Sequence, residues 1–362
     1  MQYPSTKPLA LVRLAVLCAL VMLFGVISSP RPAWAVLVRS GNGNTDGASL
    51  SAAGGPGDPL LPGFVNVGKG STGESSVTYL GNGWAITAGH VTIDNMIGGN
   101  PSPIRFGASA YEVDMDSIHY LHNSDGTLAD LKLFRLTTDP GLPSLIPLIN
   151  FGTASGRVIM IGNGLSAGAQ HFWNVDKSVV PWQWNELPAP PPDPPGPGAN
   201  DYSGFEITFD DTGHRVIRWG ENQVLNTDVV AHTFDLPDGT PLFAHGFTTA
   251  FDDQQYTGAT PLASEARGTV GDSGGPVFSW DMGGELRLSG IMVGTFSLVN
   301  SPPGSTALFG DQTLSAELYL YREEILLIVP EPSSGVLAVL SAGGLALVFR
   351  RRRNVGRSGS PR

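Results

Sequence analysis

The stretch GTVGDSGGPVF, Gly268 to Phe278, sets one serine, Ser273, among glycines and an aspartate just ahead of an apolar run. A serine hydroxyl attacks a carbonyl only when a base takes its proton, so a nucleophilic Ser273 needs a histidine within hydrogen-bond reach. Gly271 to Gly275 also fit the pattern G-x-S-x-G, which at a strand-to-helix elbow is followed in the chain by an acid and then a histidine. All seven histidines (90, 119, 122, 171, 214, 232 and 245) precede Ser273, which excludes that arrangement. The order that survives is His, Asp, Ser. Two upstream stretches supply it: GWAITAGHV is a strand-like run delivering His90 at a turn, and LADLKLFRL begins an amphipathic strand with Asp130, 40 residues later. Taken singly, Gly-Asp-Ser-Gly is a turn and a histidine after a strand is a structural residue. Their joint occurrence in this order favours chemistry.

TAGH stands where trypsin-like serine proteases carry T-A-A-H, ADLKLFRL resembles their D-I-A-L-L run, and GDSGGP is identical to their serine signature. From about Ser75 to Ile328 the chain resembles that chymotrypsin-fold family. The resemblance implies an all-β fold of two antiparallel six-stranded β-barrels with a short C-terminal helix. Barrel one, about 64–150, would carry His90 and Asp130, and barrel two, about 151–328, would carry Ser273. It implies a serine endopeptidase acting on peptide or protein substrates through an acyl-enzyme, with no cofactor. His90 would be the base, Asp130 would fix its tautomer, and the Gly271 and Ser273 N–H groups would form the oxyanion hole. LRLSGIMVG resembles the strand lining the substrate cleft, which places Val293, Gly294 and Thr295 there. By counting, Arg267 falls at the pocket floor, where it would favour an acidic side chain. In this family an apolar new N-terminus often pairs with the aspartate before the serine, here Asp272. The alternative reading is a catalytically silent protease-like module binding a partner at the cell surface.

Both ends read as targeting segments. Lys7 and Arg13 precede the apolar Leu14 to Ile27, and Ala33-Trp34-Ala35 ends a secretory cleavage pattern, so 1–35 is expected to be a signal peptide cut by signal peptidase to leave Val36. At the other end Pro330-Glu331-Pro332 precedes a 17-residue apolar run, Ser333 to Phe349, and four arginines. This tail, 329–353, resembles the PEP-CTERM sorting signal, which implies an exosortase-like processing enzyme and transient membrane contact through the apolar helix. The expected location is the cell envelope or outer surface of a bacterium.

Between these ends, Val36 to Val329 holds 12 Lys and Arg against 31 Asp and Glu, a formal charge of −19. Such a surface repels phosphate backbones, so no nucleic-acid partner is expected, and cationic peptides would be attracted. The single cysteine, Cys18, lies in the leader, so the processed chain has no disulfide. Residues 36–63 read as a flexible lead-in, 64–328 as the protease domain, and Pro181 to Asp201 as an exposed polyproline-like insertion that cannot sit inside a sheet. The acid pairs Asp210-Asp211 and Asp252-Asp253 match no EF-hand spacing. The other six histidines read as surface or packing residues, and no metal site is expected.

Overall fold

Runs such as SSVTYLG and LADLKLFRL carry β-branched and aromatic residues and are punctuated by glycine and asparagine, a composition for short strands joined by turns. In the computed structural model of this chain they are strands. The structure describes residues 36–39, 44–45, 50, 60–70, 74–93, 96–97, 100–101, 103–145, 156–191, 200–208, 215–254, 256–284, 286–298, 301–302 and 306–329. The expected signal peptide, most of the lead-in and the sorting signal from Pro330 onward lie outside the described residues. Among the described residues no helix is long and apolar enough to cross a membrane.

The chain makes two groups of antiparallel strands. In the first, seven strands pair in a row: Ser109–Tyr111, Ile104–Phe106, Val67–Lys69, Ser76–Gly81, Trp84–Thr87, Leu128–Leu136 and Val113–His122. The hairpin from Ser76–Gly81 to Trp84–Thr87 turns on Asn82-Gly83, both at positive φ (54° and 79°). Asparagine and glycine tolerate that conformation, and it matches the twist of the paired strands. In the second group six strands close a ring, in the order Arg157–Gly162, Arg218–Asp235, Pro241–Ala250, Gln312–Glu317, Leu286–Phe296, Pro276–Trp280 and back. A single parallel bridge, Ala129 to Phe243, links the groups.

The molecule is therefore mostly β, as expected, but the halves differ. The second is a six-stranded ring, whereas the first has seven strands and no closing pair among the described residues. One apolar core runs under both, with Val77, Ile86, Leu131 and Phe134 from the first group meeting Ile159, Phe278, Ile291 and Leu314 from the second.

A separate four-stranded sheet is formed by Gln183–Leu187, Ser166–Asp176, Asp201–Thr208 and Thr306–Leu308, in that order. This corrects the reading of Pro181 to Asp201 as unable to join a sheet. Its first part, Gln183–Leu187, is free of proline and pairs along one side only, as an edge strand permits. Of the Pro-rich part that follows, residues 192–199 lie outside the described residues. The expected short C-terminal helix is present: Gln312–Glu317 is strand, followed by the 3₁₀ turn Leu318–Tyr321 and the helix Arg322–Ile328, with Tyr321 and Ile325 buried.

Candidate active site

His90 sits three residues past the end of the Trp84–Thr87 strand, which pairs with Leu128–Leu136 so that Lys132 faces Thr87. That pairing brings Asp130 under the turn. The Asp130 carboxylate is fully buried and accepts the backbone N–H of His90 at 2.9 Å, which fixes the turn. It also meets His90 Nδ1 at 3.0 Å through Oδ1 and 2.9 Å through Oδ2. The opposite ring nitrogen, Nε2, lies 3.0 Å from Ser273 Oγ. An acid, an imidazole and a hydroxyl thus form one continuous chain of contacts, drawn from the two strand groups.

The serine turn is clamped without a disulfide. The Ser76 N–H donates to the Ser273 carbonyl at 2.9 Å, Ser76 Oγ to the Gly271 carbonyl at 3.0 Å, and Thr78 Oγ1 to the Gly274 carbonyl at 2.8 Å. From the other side buried Asp272 accepts N–H groups of Gly164 and Thr269, each at 2.7 Å. Burial pushes the Asp272 carboxyl up to about 6, against the pull of these donors and of Val36. The glycines flanking Ser273 are required by space as well as by φ. Gly271 (φ 101°) faces the Arg215 guanidinium, and Gly274 (φ 92°) faces the Ser76 carbonyl, so closely that a Cβ on either would overlap its neighbour. In this turn neither the Gly271 nor the Ser273 N–H donates to a backbone carbonyl among the described residues.

Ser273 and His90 open on a cleft of about 520 Å³ whose wall includes Val293, Gly294 and Thr295. The structure brings these three expected residues to the site. Arg267 it does not: the side chain is buried, paired with Asp311, on a short strand that pairs with Leu37, and it is absent from the cleft wall. Met292, Thr313 and Gly268 line the cleft beside Val293 instead, so the geometry offers no support for an acidic preference set by Arg267. Pro330, Glu331 and Pro332 lie outside the described residues.

Several features of the site were not legible in the sequence. Phe234, near the end of the long Arg218–Asp235 strand, stacks on His90 with ring centroids 4.0 Å apart and planes at 22°. It is 47% exposed, so it forms a lip of the cleft. Nothing in TFDL signals this contact, which depends on a strand 18 residues long reaching across to the first group. Phe234→Ala should lower kcat/KM for peptide hydrolysis roughly two- to tenfold, the scale of one aromatic contact, while leaving thermal stability near wild type. Equal kinetics in the two proteins would remove Phe234 from the site.

At the far end of the chain's described part, Val36 and Leu37 are fully buried, although they open a lead-in that was expected to be flexible. Leu37 and Val38 pair with Arg267 and Ala266, and the Val36 nitrogen lies 3.4 Å from Asp272 Oδ1. Val36 has φ 27°, a strained value for a β-branched residue. Of the acid pairs, Asp210-Asp211 lies outside the described residues, while Asp253 pairs with Arg39 at 2.7 Å and Asp252 accepts from Thr257.

No family model and no curated protein matches the sequence. The chain is similar, at low identity and low TM-score, to three solved structures of Rv3671c of Mycobacterium tuberculosis, two of them described as a protease. An inactive form carrying a serine-to-alanine mutation is 14% identical over 76% of this chain and 94% of its own, with a TM-score of 0.38. The unmutated inactive form gives 13%, 80%, 98% and 0.38, and the active form 12%, 80%, 88% and 0.38.

Proposed function

We propose that this protein is a serine endopeptidase, exported to the cell envelope of a bacterium, that cleaves peptide bonds through an acyl-enzyme on Ser273. One observation carries the reading: the unbroken contact from buried Asp130 through His90 to Ser273 Oγ at the mouth of a cleft. His90 Nε2 takes the Oγ proton as Oγ bonds to the scissile carbonyl carbon. The resulting oxyanion is held by the Gly271 and Ser273 N–H groups. Collapse expels the amine, which receives the proton from His90, and a water activated by the same imidazole then releases the acid and restores Ser273. Met292, Val293, Gly268 and Thr313 beside the serine favour an apolar substrate side chain.

Export and activation are one event in this account. Cutting after Ala35 would convert the Val36 N–H into an ammonium beside the buried Asp272 carboxylate and would release the strained linkage at Val36. A buried ion pair at the base of the serine turn would then hold the oxyanion loop. The tail from Pro330 would act as a sorting signal that contacts the membrane until an exosortase-like enzyme removes it.

The test is a peptide library incubated with chain that begins at Val36 and with chain that keeps Trp34-Ala35 ahead of it. The first should cleave. The second should be slower by about a hundredfold or more, because losing one partner of a buried ion pair costs about 3–5 kcal/mol. No cleavage of any peptide by the Val36 form would contradict the endopeptidase reading. Equal rates would contradict the activation step alone.

A further inference from the structure

Outside the cleft, the helix Arg322–Ile328 carries Glu324 to a pair of histidines on the Val113–His122 strand. His119 and His122 are three residues apart, which in a regular strand would send them to opposite faces. The ladder is irregular here: His119 pairs with Leu133 and His122 with Leu128, so three steps on one strand span five on the other. Across this irregular pairing the two rings stand with centroids 6.1 Å apart, and both reach the same Glu324 oxygen.

Glu324 Oε1 lies 2.9 Å from His119 Nε2 and 3.1 Å from His122 Nδ1, while its other oxygen accepts the His122 backbone N–H at 3.0 Å. The carboxylate is therefore oriented by the backbone, with one oxygen left facing two ring nitrogens. Among the described residues this is the one trio of His, Cys, Asp and Glu side chains whose ligand atoms all fall within 4.8 Å of one another.

We propose that His119, His122 and Glu324 bind a zinc-class divalent ion that clamps the C-terminal helix to the first strand group. Ligands at ~2.0–2.1 Å in a tetrahedron stand ~3.3 Å apart, so two of the three separations are already within a few tenths of an ångström of a bound geometry. Small side-chain rotations complete it. Two imidazoles and one carboxylate make a donor set for Zn²⁺ and its neighbours rather than for Ca²⁺ or Mg²⁺, which take oxygen. The side chains are 43%, 49% and 27% exposed, so the ion can enter and a water can hold the fourth position.

The clamp has a structural consequence for the site. Immediately before this helix, Tyr321 donates its hydroxyl proton to Asn123 at 2.7 Å, and Asn123 in turn bonds the Leu128 carbonyl on the strand that carries Asp130. Fixing the helix through His122 and Glu324 thus braces both sides of that buried link.

The test uses the full chain stripped of metal and titrated with Co²⁺ alone, followed by its visible absorption, with Zn²⁺ added as competitor. One equivalent of tetrahedral Co²⁺, displaced by Zn²⁺, should be seen. His119→Ala, His122→Ala and Glu324→Gln should each weaken it at least tenfold, while His171→Ala, at a histidine in the four-stranded sheet, should not. Zn²⁺ should also raise the Tm of the parent chain and not that of Glu324→Gln. An absence of tetrahedral absorption at millimolar Co²⁺, or binding undiminished in the three variants, would overturn the proposal. Since Glu324→Gln keeps the shape of the side chain and the acceptor for the His122 N–H, a folding defect in an alanine variant does not remove the test.

Discussion

Ser273→Ala should leave the fold intact and lower kcat for peptide or ester hydrolysis by about 10⁶, and His90→Ala should do nearly the same. The two losses should not add. With His90 Nε2 at 3.0 Å from Ser273 Oγ, neither group has its role without the other, so the double variant should be about as slow as either single one. The fold is expected to survive because Ser273 contributes its backbone, not its hydroxyl, to the clamp: the Ser76 N–H donates to its carbonyl, and the flanking glycines remain. Circular dichroism and thermal melting, run beside the kinetics, separate lost chemistry from lost structure. Hydrolysis at the parent rate by purified Ser273→Ala protein would assign the activity elsewhere.

Asp130→Asn should cost about 10⁴ in kcat. The amide is nearly isosteric with the carboxylate and can still accept the His90 backbone N–H, so the turn keeps its shape. What changes is the partner of Nδ1. A carboxylate accepts a proton-bearing Nδ1 from either oxygen, at 2.9 and 3.0 Å here, and leaves Nε2 free to act as base. An amide NH₂ placed against Nδ1 instead favours the tautomer with its proton on Nε2, which cannot take the Ser273 proton. Steady-state kinetics at saturating peptide, with a melting curve for the variant, measure this directly. A loss of tenfold or less would mean that Asp130 serves packing rather than the imidazole.

His90, Asp130 and Ser273 could be singled out because each stands in a local pattern: a strand-turn histidine, an aspartate near the start of an alternating strand, and a serine in a glycine-rich turn. The structure places them in one chain of contacts. Val293, Gly294 and Thr295 were legible for the same reason, as part of a strand at a readable offset from Ser273. Arg267 was assigned by counting alone. Counting cannot register that the side chain turns inward to Asp311, a partner 44 residues away.

Long-range pairing hid the remainder. The resemblance pointed from a new N-terminus at Val36 toward Asp272, but the burial of Leu37 and its pairing with Arg267 depend on a strand more than 200 residues downstream that the glycine-rich sequence after them does not indicate. Gln183–Leu187 was masked by the prolines that follow it, though the five residues themselves carry none. His119 and His122 meet Glu324 on a helix some 200 residues away, so sequence spacing held no sign of the cluster. In the first strand group the short pieces Ile104–Phe106 and Ser109–Tyr111 gave too few residues of alternation to fix a strand count.

The most direct measurement is labelling of the Val36 form with an organophosphonate that reacts with activated serines, followed by peptide mapping. The account predicts one adduct per chain, on Ser273, formed in step with loss of hydrolysis and absent from both His90→Ala and Ser273→Ala. No adduct on folded protein, or an adduct on a different serine while hydrolysis persists, would contradict it.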